Sequence, residues 1–159
     1  MNIAFTGHRP NKLGGYDNNS NLSKPLKTRL STIFISRNFQ QPIIITGMAL
    51  GVDTWAAEFA IKNNIPFHAY VPFVGQEKMW PAESQAHYKQ IKECAKTVTY
   101  VCGPGYAAWK MQKRNEAMVD ACDILIAVWD GTTGGTYNCI QYAKSKGKEI
   151  INIHPNSLA

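Results

Sequence analysis

The stretch "ILIAVWDGTTGGTYNCIQYAKSKGKEIINI", residues 124–153, sets out a whole structural unit in a row. An apolar run of strand length, Asp123 to Val128, enters a loop holding three glycines and three threonines. A helix-like segment, Thr136 to Ser145, follows, and Gly147 stands where a helix C-terminus calls for a positive φ. Glu149 to Ile153 is a second strand. Strand, loop, helix and strand in succession is the unit of an α/β domain. The same alternation extends outward, with strands expected near Ile3–Thr6, Ile43–Thr46, Phe67–Val71 and Thr97–Cys102. Helices are expected near Leu22–Arg37, Val52–Asn63, Ala82–Ala95 and Tyr106–Ala121. The chain reads as α/β, with a mostly parallel sheet of about six strands.

With 159 residues, 45% hydrophobic and 18% charged, residues 1–159 are expected to form one domain around a full core. The N-terminus "MNIAFTGHRP" has no basic leader region, and no apolar run nears the ~18 residues of a membrane span, so a soluble, cytoplasmic protein is expected. Cys94, Cys102, Cys122 and Cys139 are scattered with neither CxxC spacing nor a Cys/His cluster; they read as reduced packing residues, and no metal site is expected. A formal net charge of +6 favours anionic partners, yet the lysines and arginines are dispersed. A phosphate-bearing small molecule suits such a field at least as well as a nucleic acid.

Three strands end in glycine turns that run toward helices: "IAFTGHRP", "IIITGMALGVD" and "LIAVWDGTTGGT". In a parallel sheet all three lie on one edge, and ligands bind where the strand order reverses. Glycine permits close backbone approach, and the free amides of the following helix favour an anion. A nucleotide-like ligand held by its phosphate is therefore expected. Neither GxGxxG nor GxxxxGK[ST] is present, which disfavours a dinucleotide dehydrogenase or a P-loop NTPase, and no cofactor is expected. Two long connections, Arg9–Asn21 and Pro72–Pro81, leave the same edge.

Thr136, with the amides of Gly134 and Gly135, is the best phosphate cradle, although Thr136 serves equally as a plain helix cap. Around it, Asp130, Gly131, Thr132 and Asn138 are expected contacts. From the first turn come Thr6, Gly7, His8 and Arg9, the arginine as a bidentate phosphate partner. The second turn supplies Gly47, Met48, Gly51 and Asp53, the aspartate either capping its helix or meeting a ribose hydroxyl. In "YAAWKMQKRN", Lys110 and Arg114 are four apart and share a helix face, so both reach one anion if that face lines the crevice; Asn115 is beside them. Trp80 is either a base-stacking partner or an anchor for its loop.

These motifs resemble known ones. "TGMALGVDTWAAEFAI" is similar to the SGxAxGID segment of the DNA-processing DprA family, and "RNEAMVDACDILIAVWDGTTGGT" to a segment of the LOG phosphoribohydrolases. In order, "TGHRP", "GVDTWAAE", "WKMQKRN" and "WDGTTGGTYN" resemble most closely the YpsA-like group of the SLOG superfamily. The resemblance implies a Rossmann-like three-layer α/β/α domain and a nucleotide-derived ligand, an ADP-ribose-type signal among them, which the chain senses or sequesters. It also implies pairing into a dimer or tetramer. The LOG arginine falls on Arg114, but the glutamate that assists N-glycosidic cleavage falls on Cys139. No catalytic residue is assigned; LOG-like hydrolysis would need Asp130 or Glu58 to enter the pocket. A DprA-like binder of single-stranded nucleic acid is the remaining alternative.

Overall fold

Continuous runs of β-branched and aliphatic residues, buried on both sides, form the centre of the sheet, as parallel strands covered by helices on each face require. A computed structural model describes residues 1–9, 13 and 23–158. Its elements are β1 (Asn2–Gly7), α1 (Ser23–Ser36), β2 (Ile43–Thr46), α2 (Val52–Lys62), β3 (Phe67–Val71), α3 (Ala82–Cys94), β4 (Thr97–Tyr100), α4 (Ala108–Ala121), β5 (Ile124–Val128), α5 (Gly135–Ser145) and β6 (Glu149–Ile153), with a terminal 3-10 turn at Pro155–Leu158. The strands pair in the order β4-β3-β2-β1-β5-β6, and every pairing is parallel.

Side chains alternate across the sheet and divide the core in two. On one face Ile3, Phe5, Ile44, Phe67 and Ile126 pack with residues of α1, α2 and α3. On the other, Ala4, Ile45, Leu125 and Ala127 pack with Met118 and Val119 of α4 and with Cys139, Ile140 and Ala143 of α5. The result is the three-layer α/β/α arrangement. No helix among the described residues is long and apolar enough to cross a membrane.

Strand order fixes where a crevice opens. The chain steps from β1 outward through β2 and β3 to β4, then returns past β1 to lay down β5 and β6. The helices after β1 and β5 therefore go to opposite faces, and a gap opens between those strands' carboxyl ends. The two ends are flush: Thr6 pairs with Ala127 and Gly7 with Val128, and the His8 amide donates to the Val128 carbonyl at 3.3 Å.

Some boundaries differ from expectation for local reasons. α4 starts at Ala108 rather than Tyr106, because Gly105, immediately before Tyr106, has φ +94 and breaks the helical path. β4 ends at Tyr100, although Val101 and Cys102 still donate to the carbonyls of Val71 and Pro72. The connection Pro72–Pro81 is built of turns, Lys78 to Gly75 and Trp80 to Glu77, and the buried Gln76 side chain lies 3.4 Å from the carbonyls of Gly47 and Met48. The connection Arg9–Asn21 lies outside the described residues except for Arg9 and Leu13.

Candidate functional site

A cavity of about 250 Å³ occupies the gap between β1 and β5. Thr6 and Gly7 line it from β1 and His8 and Arg9 from just beyond, Ala49 from the turn after β2 and Asp53 from the first turn of α2, Met111, Arg114 and Asn115 from α4, and residues 132–137 from the turn into α5. Eleven expected ligand contacts are thus brought together: Thr6, Gly7, His8, Arg9, Asp53, Arg114, Asn115, Thr132, Gly134, Gly135 and Thr136.

The start of α5 is open to that space. Gly134 is the N-cap with φ +145, and no side chain caps the helix, so Thr136 lines the cavity instead of serving as the cap. A Cβ built on Gly134 or Gly135 would meet no atom within 4 Å. First-turn amides without an intrahelical partner, unshielded by side chains, are an anion-binding arrangement.

The preceding loop is held by its own polar groups. Asp130 Oδ1 accepts from the Thr132 amide at 3.0 Å and from the Thr132 hydroxyl at 2.5 Å, while His8 Nε2 accepts the Asp130 amide at 3.0 Å and lies 3.1 Å from Asp130 Oδ1. The Trp129 indole donates to the Thr132 carbonyl at 2.7 Å. Asp130 is thereby turned into the loop rather than toward the cavity.

Below the cavity lies a buried charge pair. Arg114 is 4% exposed and Asp53 8%. Arg114 Nη1 donates to the Gly47 carbonyl, and Nε donates to Asn115 Oδ1 at 2.9 Å. Because that nitrogen can only donate, it fixes the Asn115 amide, whose nitrogen is left as a donor. Asp53 Oδ2 accepts the Ala49 amide at 3.3 Å. Burial pushes the Asp53 carboxyl above the ordinary carboxylate range, against the opposing pull of Arg114, the Ala49 amide and Arg9. Burial likewise lowers the Arg114 guanidinium, and the Asp53 charge opposes it.

Eight expected contacts fall elsewhere. Gly47 lies beneath Arg114: a Cβ there would be 2.5 Å from Nη1 and 2.8 Å from Asp53 Oδ2, so its bareness serves the charge pair rather than a ligand. Met48, Gly51 and Trp80 line a separate cavity of about 360 Å³ together with Glu58 and His87. Trp80 packs edge-on to Tyr88 at 5.3 Å, which is the anchoring arrangement and not that of a base platform over the first cavity. Lys110 Nζ donates to the carbonyls of Gly103, Pro104 and Gly105 at 2.8, 2.8 and 2.7 Å, so all three of its protons point away from the cavity. Asp130 is tied to Thr132 as described, Gly131 sits at an exposed turn with φ +91, and Asn138 is exposed beyond the lining. Glu58 is part of the second cavity, 3.8 Å from His87. Cys139 is wholly buried, and burial pushes its thiol up to about 12.

Four lining residues were not foreseen: Ala49, Met111, Thr133 and Tyr137. Met111 had a signal, since it stands three and four residues before Arg114 and Asn115 on one helix face. Ala49 and Tyr137 had none beyond adjacency to the glycine turns.

A parallel sheet in this strand order, covered by helices on both faces, is a Rossmann-like α/β architecture. The family described as the YspA SLOG family (YpsA) matches residues 3–158, and the chain belongs to it. Relatives include the SPbeta prophage-derived protein YoqJ of Bacillus subtilis, 35% identical over 130 residues that make up 70% of this chain and 76% of that one. A UPF0398 protein of Bacillus thuringiensis is 30% identical, covering 96% of this chain and 86% of its own. Among solved structures, DprA of Helicobacter pylori, described by its single-stranded DNA binding mode, superposes with a TM-score of 0.68 at 18% identity over 96% of this chain and 64% of that one. DprA of Streptococcus pneumoniae gives 0.65 at 16% identity; the match covers 94% of this chain but only 49% of that one, about half its length. TM1055 gives 0.60 at 13% identity, covering 94% and 71%. At these identities the structural likenesses establish a shared fold.

Proposed function

We propose that the chain binds a nucleotide or nucleotide-derived small molecule, of ADP-ribose type among others, in the cavity between β1 and β5, and acts as a sensor or sequestering protein. The observation that carries this reading is Gly135. It has neither a positive φ nor a neighbour that a Cβ would strike, so nothing inside the protein calls for glycine at the first position of α5. Room over those amides is useful to an anion approaching them. Arg9 at the mouth and the Asn115 amide nitrogen add donors, and Asp53 offers an acceptor for a sugar hydroxyl.

LOG-type hydrolysis is disfavoured by the same geometry. At the position of the LOG glutamate stands a buried neutral thiol, and Glu58 belongs to another cavity. The likeness to DprA supports a second reading, in which the cavity receives one nucleotide of a single strand.

Native mass spectrometry of the purified protein, followed by thermal unfolding against a panel of nucleotides and ADP-ribose, tests the first reading. A co-purified phosphate compound, or a stabilisation that Gly135→Val removes without altering the unliganded fold, is the expected result. An empty protein indifferent to the whole panel would refute it, and release of free base or ribose phosphate on incubation would replace it with an enzyme.

A further inference from the structure

The rim beyond the cavity carries an aromatic group that the nucleotide site does not use. Tyr106 and Trp109, at the loop into α4 and its first turn, are 75% and 60% exposed, unusual for rings of that size. They are nonetheless held in place. The buried Phe73 ring meets Tyr106 edge-on, with centroids 6.1 Å apart and planes at 82°. The Lys110 ammonium, fixed by three carbonyls, sits 5.8 Å from the Phe73 centroid and 5.7 Å from that of Trp109. Lys113, four residues after Trp109 and so on its side of the helix, has a 61% exposed side chain with only a loose 3.8 Å approach to Glu116.

We propose that Tyr106 and Trp109 form a base-stacking platform for single-stranded nucleic acid, which runs along the carboxyl edge of the sheet from this platform to the cavity at β1 and β5. Every strand is parallel, so the loops after β3 and β4 open on the same edge as the turns after β1 and β5. With strands about 4.8 Å apart, β3 and β4 stand roughly 10 and 14 Å from β1. That span equals roughly three or four nucleotides at a stacked rise of ~3.4 Å. Exposed rings held by their neighbours, beside the largely exposed Lys113 ammonium, match what unpaired bases and their phosphates require: a flat face for each base and a cation for the backbone. A formal net charge of +6 favours approach of a polyanion to the protein as a whole. A duplex, its bases already stacked, gains nothing from such a platform. The proposal rests on the reading of the cavity as a nucleotide site and extends it from a single nucleotide to a strand.

Fluorescence anisotropy with labelled 5′-phosphorylated thymidine strands, from a mononucleotide to a hexanucleotide, separates the two ideas. Affinity is expected to climb with length, and Trp109→Ala to remove roughly a 5- to 150-fold step, the worth of one stacked base. Trp109→Phe should keep most of that step. Trp109 is exposed and outside the core, so its replacement leaves the packing intact, and circular dichroism of each variant checks the fold. Affinity that does not change with length, a Trp109→Ala variant equal to the parent, or equal affinity for duplex DNA would overturn the platform. So would a native mass showing that Trp109→Ala dissociates an oligomer while strand binding is untouched, since the rim would then be a self-association face. Mononucleotide binding that Gly135→Val abolishes, with no gain from length, sinks the platform and spares the cavity. Length-dependent binding sensitive to Trp109→Ala yet indifferent to Gly135→Val sinks the cavity reading instead.

Discussion

Glycines in the three turns look alike in the sequence but answer to different neighbours, and substitution should sort them. A Cβ on Gly7 would lie 2.5 Å from Val52 Cγ2 and 2.7 Å from Val52 Cβ, so β1 and α2 would have to move apart. Gly7→Ala is expected to cost about 1–3 kcal/mol in urea unfolding, the usual range for overpacking. Gly135→Ala should change stability by less than about 1 kcal/mol, because its Cβ enters open space, while weakening ligand binding. Asp53 invites a pH experiment. Its carboxyl is raised above 3.8 by burial, so the folded state holds the proton more tightly than the unfolded chain. That contribution to stability is complete below the unfolded value and is lost as pH rises through the folded one. Asp53→Asn removes the titration; its stability relative to the parent should improve as pH climbs from about 4 upward, measured by urea unfolding at a series of pH values. A constant difference across the series would show that Asp53 titrates as an exposed carboxylate does.

At the scale of elements, what could be read in advance was whatever rests on local pattern. β2, β3 and β6 coincide with the expected Ile43–Thr46, Phe67–Val71 and Glu149–Ile153, because short runs rich in β-branched or aromatic residues and bounded by turn residues have few other uses. The cavity was legible for a related reason: parallel strands put their following turns on one edge, whatever the order. Long-range packing was not legible. Helical spacing correctly placed Lys110 and Arg114 on one face, but it carried no information on what each head group would meet. Arg114 found the Gly47 carbonyl across the sheet, whereas Lys110 turned back to the carbonyls of residues 103–105. The difference is testable. Lys110→Met should lower stability by about 1 kcal/mol, a discounted value for an exposed ammonium, and leave mononucleotide affinity within twofold, roughly the error of such a titration. A large loss of mononucleotide affinity would mean that the lysine swings round to the anion. In α5, Cys139 is buried with its thiol at about 12, so alkylation followed by peptide mass analysis should label the exposed Cys94 and spare Cys139 in the native protein.

Over the whole molecule, one cavity draws on β1, α2, α4 and the β5–α5 turn, which between them touch both core clusters. A ligand held there stabilises the fold as a unit, by RT ln(1 + [L]/Kd), about 2.7 kcal/mol at a hundredfold excess over Kd. For a chain of this size that corresponds to a rise in Tm of about 5–10 °C. Salt then distinguishes the two classes of ligand, because they engage different parts of the charge. Of the two arginines lining the cavity, Arg114 is buried, and buried charges are screened much less than exposed ones. Lys113 and the dispersed surface lysines face solvent, where the Debye length shrinks from about 10 Å at 0.1 M to about 3 Å at 1 M. A strand binding along the rim also releases counterions for each phosphate neutralised, which a single nucleotide does to a far smaller degree. Thermal stabilisation by a mononucleotide should therefore survive a rise in sodium chloride from about 0.1 to 0.5 M, whereas affinity for a hexanucleotide should fall by at least tenfold over the same range, as expected for two or more neutralised phosphates. Equal salt dependence for both ligands would place them on the same exposed charges and remove the distinction between a sheltered socket and an open track.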